Sequence, residues 1–367
     1  MVSTVIEHIV DALFVVFIFS PLVVCYWNST WNLIGLYLLP SNKIASGWIS
    51  VAISIVLMVA SFFTQDVLNK YVKKEKYVSF YLVSRLFTYV MSFSQVSNWR
   101  GIWELLNLYI GITIPGSLTI LGIGTVGLIA LRSYRNVLTP PGAWVLDVDT
   151  DNHFTIIHLF GTKKGSVLYV IDVLFGVVVV STLVVLVWRG QWMVLQLSIS
   201  PNNDLWRGII VFSVGNVLVV TLIVTQFPAR KLAGHLHTTH PLLQIVFEDA
   251  CVLLVCFSAV CYWHGLWALL DVMVIGYDPN LTQWLLHALG FGGLMLLRVC
   301  RSLQFMGYNF DGEYPEGIGL VQTPSYCNTI LASLCRREAL SDAIRLTAST
   351  RTVYVEVESQ HKQIPVS

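Results

Sequence analysis

Charge is what this 367-residue chain has least of. Only 12% of its residues are Asp, Glu, Lys or Arg, while 55% are hydrophobic. A soluble domain carries about 25% charged residues, so most of this chain is solvated by lipid or by itself. The net charge of +1 excludes an electrostatic binder of nucleic acid. The opening "MVSTVIEHIVDALFVVFIF" has no basic segment and no small-residue cleavage site, so it reads as a first membrane helix and not a signal peptide. There is no CxxC pair among the 7 cysteines. Cys25, Cys251, Cys256, Cys261 and Cys300 lie in apolar runs and read as small apolar filler, which leaves no disulfide framework. G-x-S-x-G, HExxH and Walker patterns are lacking too. "GIGTVG" at 122–127 has the spacing of a dinucleotide loop, but it sits inside an apolar run with no strand before it. Close helix packing through glycine is the better account. The sequence implies no catalytic residues, no cofactor and no metal.

What the chain does have is long apolar runs. A membrane span needs roughly 20 such residues, and runs fall near 9–27, 46–64, 78–97, 116–132, 167–187, 205–226, 242–262 and 282–303. The expected fold is therefore an all-α polytopic membrane protein with eight transmembrane helices.

Four short stretches repeat one box. They read "YWNSTWNLIG" at 26–35, "NWRGIWELLN" at 98–107, "VWRGQWMVLQ" at 187–196 and "YWHGLWALLD" at 262–271. Each has Trp-x-x-x-Trp and a small or polar residue four positions later: Gly35, Asn107, Gln196 and Asp271. Each closes an odd-numbered span, and a proline follows. Pro40 and Pro201 come nine residues after the second tryptophan, Pro115 and Pro279 twelve after it. The alternation implies four helical-hairpin repeats grouped as two similar four-helix halves. The halves are 1–132 and 166–305, joined by a cytoplasmic loop at 133–165 and followed by a cytoplasmic tail at 306–367.

Lys and Arg cluster after the even spans, in "NKYVKKEK" and at Arg132, Arg135, Lys163, Lys164, Arg230, Lys231, Arg298 and Arg301. By the positive-inside rule both termini are cytoplasmic and all four boxes face outside. Asn280, in "NLT", is then a glycosylation candidate on the outer face.

Residues i, i+4 and i+8 share one helix face. Trp27 with Trp31, Trp99 with Trp103, Trp188 with Trp192 and Trp263 with Trp267 therefore form stripes. One reading is an aromatic belt at the membrane interface. The other is four stripes meeting around an axis, with Asn107, Gln196 and Asp271 turned inward. The box glycines Gly101, Gly190 and Gly265 allow close backbone approach, and Arg100 and Arg189 complete the W-R-G-x-W form.

An eight-span chain with "WRGIW", "WRGQW" and "WHGLW" resembles the fuseless family of invertebrate multipass proteins over about residues 9–305. The resemblance implies a non-enzymatic protein of the neuronal, presynaptic plasma membrane. It implies a part in calcium-channel organisation and synaptic vesicle exocytosis. The partners so implied are the lipid bilayer and presynaptic calcium-channel or active-zone proteins, met through cytoplasmic loops and tail. It carries over no functional residues.

Ionisable groups inside a membrane suggest function by default. The candidates are Asp11, Arg85, Asp172, Glu248, Asp249 and Arg298. They pair across helices near span ends or they line a polar cavity between the two halves, in which case the protein is a transporter or channel for a small solute. In that cavity Arg85 and Arg298 are counter-charges to the acids, and Gln95, Asn216 and His287 extend it. "HLHTTH" (His235, His237, His240) reads as a solvated loop. In the tail, a short amphipathic helix over 329–346, a strand-like "RTVYVEVE" and palmitoylation at Cys327 and Cys335 are expected.

Overall fold

Prolines and capping side chains decide where the helices begin. In a computed structural model, the described residues are 10–72, 77–147, 153–274, 276–303, 307–311 and 326. The tail features expected beyond 311, including Cys327 and Cys335, lie outside them. The chain forms two compact units. One is Ala12–Thr323, which holds the helices and their connections. The other joins Met1–Asp11 to Pro324–Ser367, and only Val10, Asp11 and Tyr326 of it are described.

Among the described residues there are eight long helices. They are α1 (Val10–Tyr37), α2 (Lys43–Tyr71), α3 (Tyr77–Tyr109), α4 (Ile114–Ala130), α5 (Val167–Ser198), α6 (Asp204–Thr239), α7 (Pro241–Met273) and α8 (Pro279–Leu296). The side chains of Asn42, Thr113, Asn203 and Asp278 accept from backbone N–H groups at the starts of α2, α4, α6 and α8. The two proline spacings have different jobs. Pro115 and Pro279 lie in the first turns of α4 and α8, where a missing N–H costs nothing. Pro40 and Pro201 lie in turns, each just after a left-handed residue, Leu39 or Ser200.

Five helices, α1, α2, α5, α6 and α7, are long and apolar enough to cross a membrane, and α4 is a shorter apolar helix. α3 is the most polar of the long ones, and its polar side chains point inward: Ser84, Thr88, Ser92, Gln95, Asn98 and Arg100 are all buried. Two boundaries differ from the sequence reading. The odd helices run straight through the Trp boxes, to Tyr37, Tyr109, Ser198 and Met273, since nothing in a box breaks a helix. α6 continues past Pro228 to Thr239, so "HLHTTH" is mostly helical rather than a loop. The helix formers of "ARKLAGHL" carry it on.

The packing has a cyclic order. α1, α3, α5 and α7 form an inner ring, each touching the next and α7 touching α1. Each even helix packs chiefly on the odd helix that follows it: α2 on α3, α4 on α5, α6 on α7. α8 completes the circle by packing on α1. The box glycines explain how closely these pairs approach. A Cβ on Gly101 would lie 2.7 Å from the Gly47 carbonyl oxygen of α2. One on Gly190 would lie 2.7 Å from Leu121 Cβ of α4, and one on Gly265 2.3 Å from Phe212 N of α6. The first box has Ser29 instead, and there the glycine is on the partner: Gly290 of α8, 2.7 Å from Tyr26 N by the same measure. Gly124, in "GIGTVG", meets the Leu183 carbonyl oxygen at 2.8 Å, which is helix packing.

The segment joining the halves is folded, not free. Trp144, Phe154, Ile156 and Leu159 are buried, and Ile157 forms a parallel bridge to Gly307.

Candidate functional site

Two tryptophans four apart on each of four helices arranged in a circle must meet in two layers. The lower layer is Trp27, Trp99, Trp188 and Trp263. Their ring centroids lie 5.3, 5.4, 5.6 and 5.4 Å apart around the closed circuit, at interplanar angles of 83°, 71°, 79° and 81°. The upper layer is Trp31, Trp103, Trp192 and Trp267, at 5.7, 5.6, 5.7 and 5.7 Å with angles of 88–90°. Every contact is edge-to-face, the arrangement the indole quadrupole favours at about 0.5–1.5 kcal/mol each. The indoles face one another across the inner ring, so they do not form an outward belt. The lower layer is buried throughout, and Trp188 is 1% exposed. A cavity of about 160 Å³ lies among the eight rings, with Met193 and Gln196 in its wall.

The residue after the first tryptophan reaches sideways. Asn28 Nδ2 donates to Asp271 Oδ1 of α7 at 2.9 Å. Arg189 donates to Asn107 Oδ1 of α3 through Nε at 3.1 Å and Nη2 at 2.8 Å, and to the Gly111 carbonyl at 2.9 Å. Each links a box to the trailing residue of the preceding odd helix around the circle. Arg100 points toward Gly35 in the same sense, its Nη2 3.7 Å from where a Cβ would stand. Its own bonds go to the hydroxyls of Ser46 and Ser50. His264 instead lies over Trp192, with ring centroids 4.6 Å apart.

Below the lower layer is a second cavity, of about 310 Å³. Its roof includes Trp27, Trp99 and Trp263, and its walls include Gln95, Arg135 and Arg301. Trp188 Nε1 donates to the Val137 carbonyl at 2.9 Å and Trp263 Nε1 to the Pro140 carbonyl at 2.6 Å. The connecting segment thus hangs from the tryptophans.

This end is closed by two reciprocal clasps. "LRSYRN" follows α4 and "LRVCRS" follows α8. In each the first arginine is left-handed, Arg132 at φ 50° and Arg298 at φ 57°, and a 3-10 turn comes next, Tyr134–Val137 or Cys300–Leu303. Asp147, from the segment after the first half, accepts from Cys300 N and Arg301 N at 3.0 Å each and from Arg85. Asp311, from the segment after the second half, accepts from Tyr134 N at 2.8 Å and Arg135 N at 3.1 Å. Asp147 N donates to Arg298 O and Asp311 N to Arg132 O. Ser302 pairs with Val145 as Asn136 pairs with Asn309. Burial raises the Asp311 carboxyl above its ordinary range, and the two backbone N–H donors oppose that. His153, between Phe80 and Phe154, is pushed down to about 4, by burial first and then by the Arg301 charge.

The ionisable residues that the sequence suggests for the membrane do not assemble as expected. Asp172 accepts from His158 Nδ1 at 2.8 Å, Thr162 Oγ1 at 2.9 Å and Phe160 N at 3.2 Å, capping its own loop. Glu248 pairs with Arg135 at 2.9 Å, and Arg85 with Asp147. So Arg85 and Arg298 are not counter-charges to Asp172 or Glu248; Arg298 instead offers its carbonyl to the clasp. Asp249 is half-buried and Asp11 buried. His287 bridges Thr30 and Tyr89 at 2.9 and 3.1 Å, and Asn216 bonds back to its own helix. Gln95 alone of these three lines the lower cavity. Asn280 is exposed and accepts from the Tyr37 hydroxyl, while Asn28, which begins a second glycosylation pattern, "NST", is 1% exposed. His237 bonds Gln244, and no metal-ligating cluster occurs among the described residues. Asp147, Arg135 and Asp311 escaped the sequence reading. Their signal is the second repeat, L-R-x-x-R followed by "WVLD" or "YNFD".

A family model described as Fuseless matches residues 6–303, so the chain belongs to the Fuseless family. No curated protein and no solved structure matches it.

Proposed function

We propose that all eight helices cross the membrane, and that the chain is a non-enzymatic membrane scaffold supporting presynaptic calcium-channel organisation and vesicle exocytosis. Four hairpin repeats in one orientation put the boxes outside and the clasps and both termini in the cytoplasm, as the Lys and Arg distribution favours. The presynaptic part rests on family membership. The observation that carries the scaffold part is the double tryptophan layer, which lines the axis of the inner ring with apolar rings. A transporter needs a polar route to the midplane; here the polar walls stop beneath Trp27, Trp99 and Trp263. Rigid, closed cores suit a protein that holds others in place.

One observation favours the second reading, a conduit for a small solute: the two cavities lie on either side of the lower tryptophan layer. The test is re-expression in neurons lacking the protein, scoring surface level, calcium-channel clustering and protein-dependent flux, with Trp99→Ala alongside the wild type. The scaffold reading expects restored clustering without flux. Flux in the wild type that Trp99→Ala alters would make the conduit primary.

A further inference from the structure

Of the four lateral positions at the box end, two are linked through a side-chain oxygen, His264 lies over Trp192 instead, and the one at Arg100 stands open to a cavity. In two links the residue after the first tryptophan meets a side-chain oxygen on the preceding odd helix: Asn28 meets Asp271 and Arg189 meets Asn107. For Arg100 that place is held by Gly35, which offers no side chain. The space is a cavity of about 370 Å³ lined by Gly35, Lys43, Ser46, Arg100, Glu104 and Gln283, among others. Arg100 is 6% exposed, and its Nη1 donates only to the neutral Ser46 and Ser50 hydroxyls, while its Nε–H has no acceptor. Gln283 is 5% exposed, and its Oε1 has no donor. A buried guanidinium that hydrogen-bonds only hydroxyls and leaves its Nε–H unmet is costly, and Arg189 shows what a facing side-chain oxygen adds, an acceptor for both Nε and Nη2.

We infer that this cavity binds a small amino-carboxylate or amino-phosphate, whose anionic group stands where the Asn107 carboxamide stands for Arg189. A carboxylate or phosphate matches the planar guanidinium fork, and Lys43 at the mouth adds a second cation. The cavity also holds two acceptors, Gln283 Oε1 and the Glu104 carboxylate, which lies near Arg100 without bonding it. They call for a donor on the same ligand, and an ammonium suits both. Trp31 supplies an apolar and cation-tolerant wall. The same chemistry comes from a free amino acid or from the phosphoethanolamine headgroup of a lipid.

The decisive variant is Gly35→Asn. It gives Arg100 an internal acceptor, and its Cβ has ordinary van der Waals room, so the fold is retained and checkable by melting. Calorimetric titration of the purified full chain in nonionic detergent would use glycine and O-phosphoethanolamine as probes. Saturable binding of either, weakened roughly tenfold or more in Gly35→Asn, supports the inference. If neither soluble probe binds but native mass spectrometry finds phosphatidylethanolamine retained by the wild type and lost from Gly35→Asn, the source is lipid. No binding from either source, or equal binding by wild type and variant, overturns it. Gln283→Leu separates the two ends of the ligand: it should weaken the amino probes while leaving acetate unaffected, and equal weakening of acetate counts against the ammonium assignment.

Discussion

The two ends of the inner ring are built by opposite means. At the box end one local pattern is repeated four times, and the contacts join like to like: tryptophan to tryptophan around a circle. At the clasp end the contacts are exchanged. The segment after each half closes the last turn of the other, through Asp147 and Asp311. The first end gains stability from apolar area and ring geometry. The second gains it from hydrogen bonds that only one partner, far away in the chain, can supply. The box end should therefore yield gradually to mutation, and the clasp end abruptly.

The largest effect should break the box end where it touches the clasp. Trp188 is 1% exposed, sits in the lower layer and hangs the connecting segment from its N–H. Trp188→Ala removes the edge-to-face packing against Trp99 and Trp263 and leaves the Val137 carbonyl unmet, at a cost of roughly 3–5 kcal/mol. Reversible unfolding in mixed micelles would read it, and a cost below about 1 kcal/mol would mean the layers are not the core. Asp147→Asn attacks the other end. It removes the charge opposite Arg85 while leaving one carbonyl oxygen for the backbone donors, and about 3 kcal/mol is expected. The loss should be cooperative, freeing the 3-10 turn at Cys300–Leu303 from hydrogen-exchange protection. If protection there persists, the clasp is decoration.

His153 sharpens the comparison through pH, because it belongs to the clasp end alone. Its folded value of about 4 lies below the ordinary value of 6.5. Between those limits the unfolded chain binds the extra proton, so stability is full above about pH 6.5 and falls as pH drops toward 4. By pH 5 the loss is about 2 kcal/mol. Asp311, raised by burial, has the opposite sign: it contributes loss as pH rises through its own range, above that of an unfolded carboxyl. His153→Phe should flatten the stability profile between about pH 5 and 7 and leave the box end unchanged. A wild-type profile already flat there would remove His153 from the account.

How much of this was legible follows the same division. The boxes recur as short local patterns that can be read directly, while the ends of the helices that carry them could not, since those helices run on through the boxes. Where the boxes point was not legible, since an i, i+4 stripe looks the same facing lipid or facing an axis. The cyclic packing of α8 on α1 was out of reach too, because it joins the two ends of the chain and only Gly290 and Gly293 hint at it. The clasps were hidden for another reason. Asp147 looks like the start of a calcium-loop fragment and Asp311 like a loop residue. Each acquires its meaning only beside an L-R-x-x-R turn more than 150 residues distant. Ionisable residues near span ends could be found, but not paired, since pairing depends on which helices are neighbours.

The smallest effect tests whether the open position at Arg100 is equivalent to the two finished links, Asn28 to Asp271 and Arg189 to Asn107. Gly35→Asn replaces a helix-interior glycine, a gain of only about 0.3 kcal/mol because Asn is itself a poor helix former, and offers Arg100 the carboxamide that Arg189 already has. If the links are equivalent, the variant should be more stable than the wild type by about 1–2 kcal/mol in ligand-free detergent. Converting the finished link the other way, Asn107→Gly, should cost at least as much, because it leaves a fully buried guanidinium only the Gly111 carbonyl. Equal and opposite shifts would mean the circle has one geometry and that the gap at Gly35 is maintained at the expense of stability. Destabilisation by Gly35→Asn would mean that Arg100 is already satisfied by Ser46 and Ser50. The open cleft would then be a consequence of packing and not a place kept for something else.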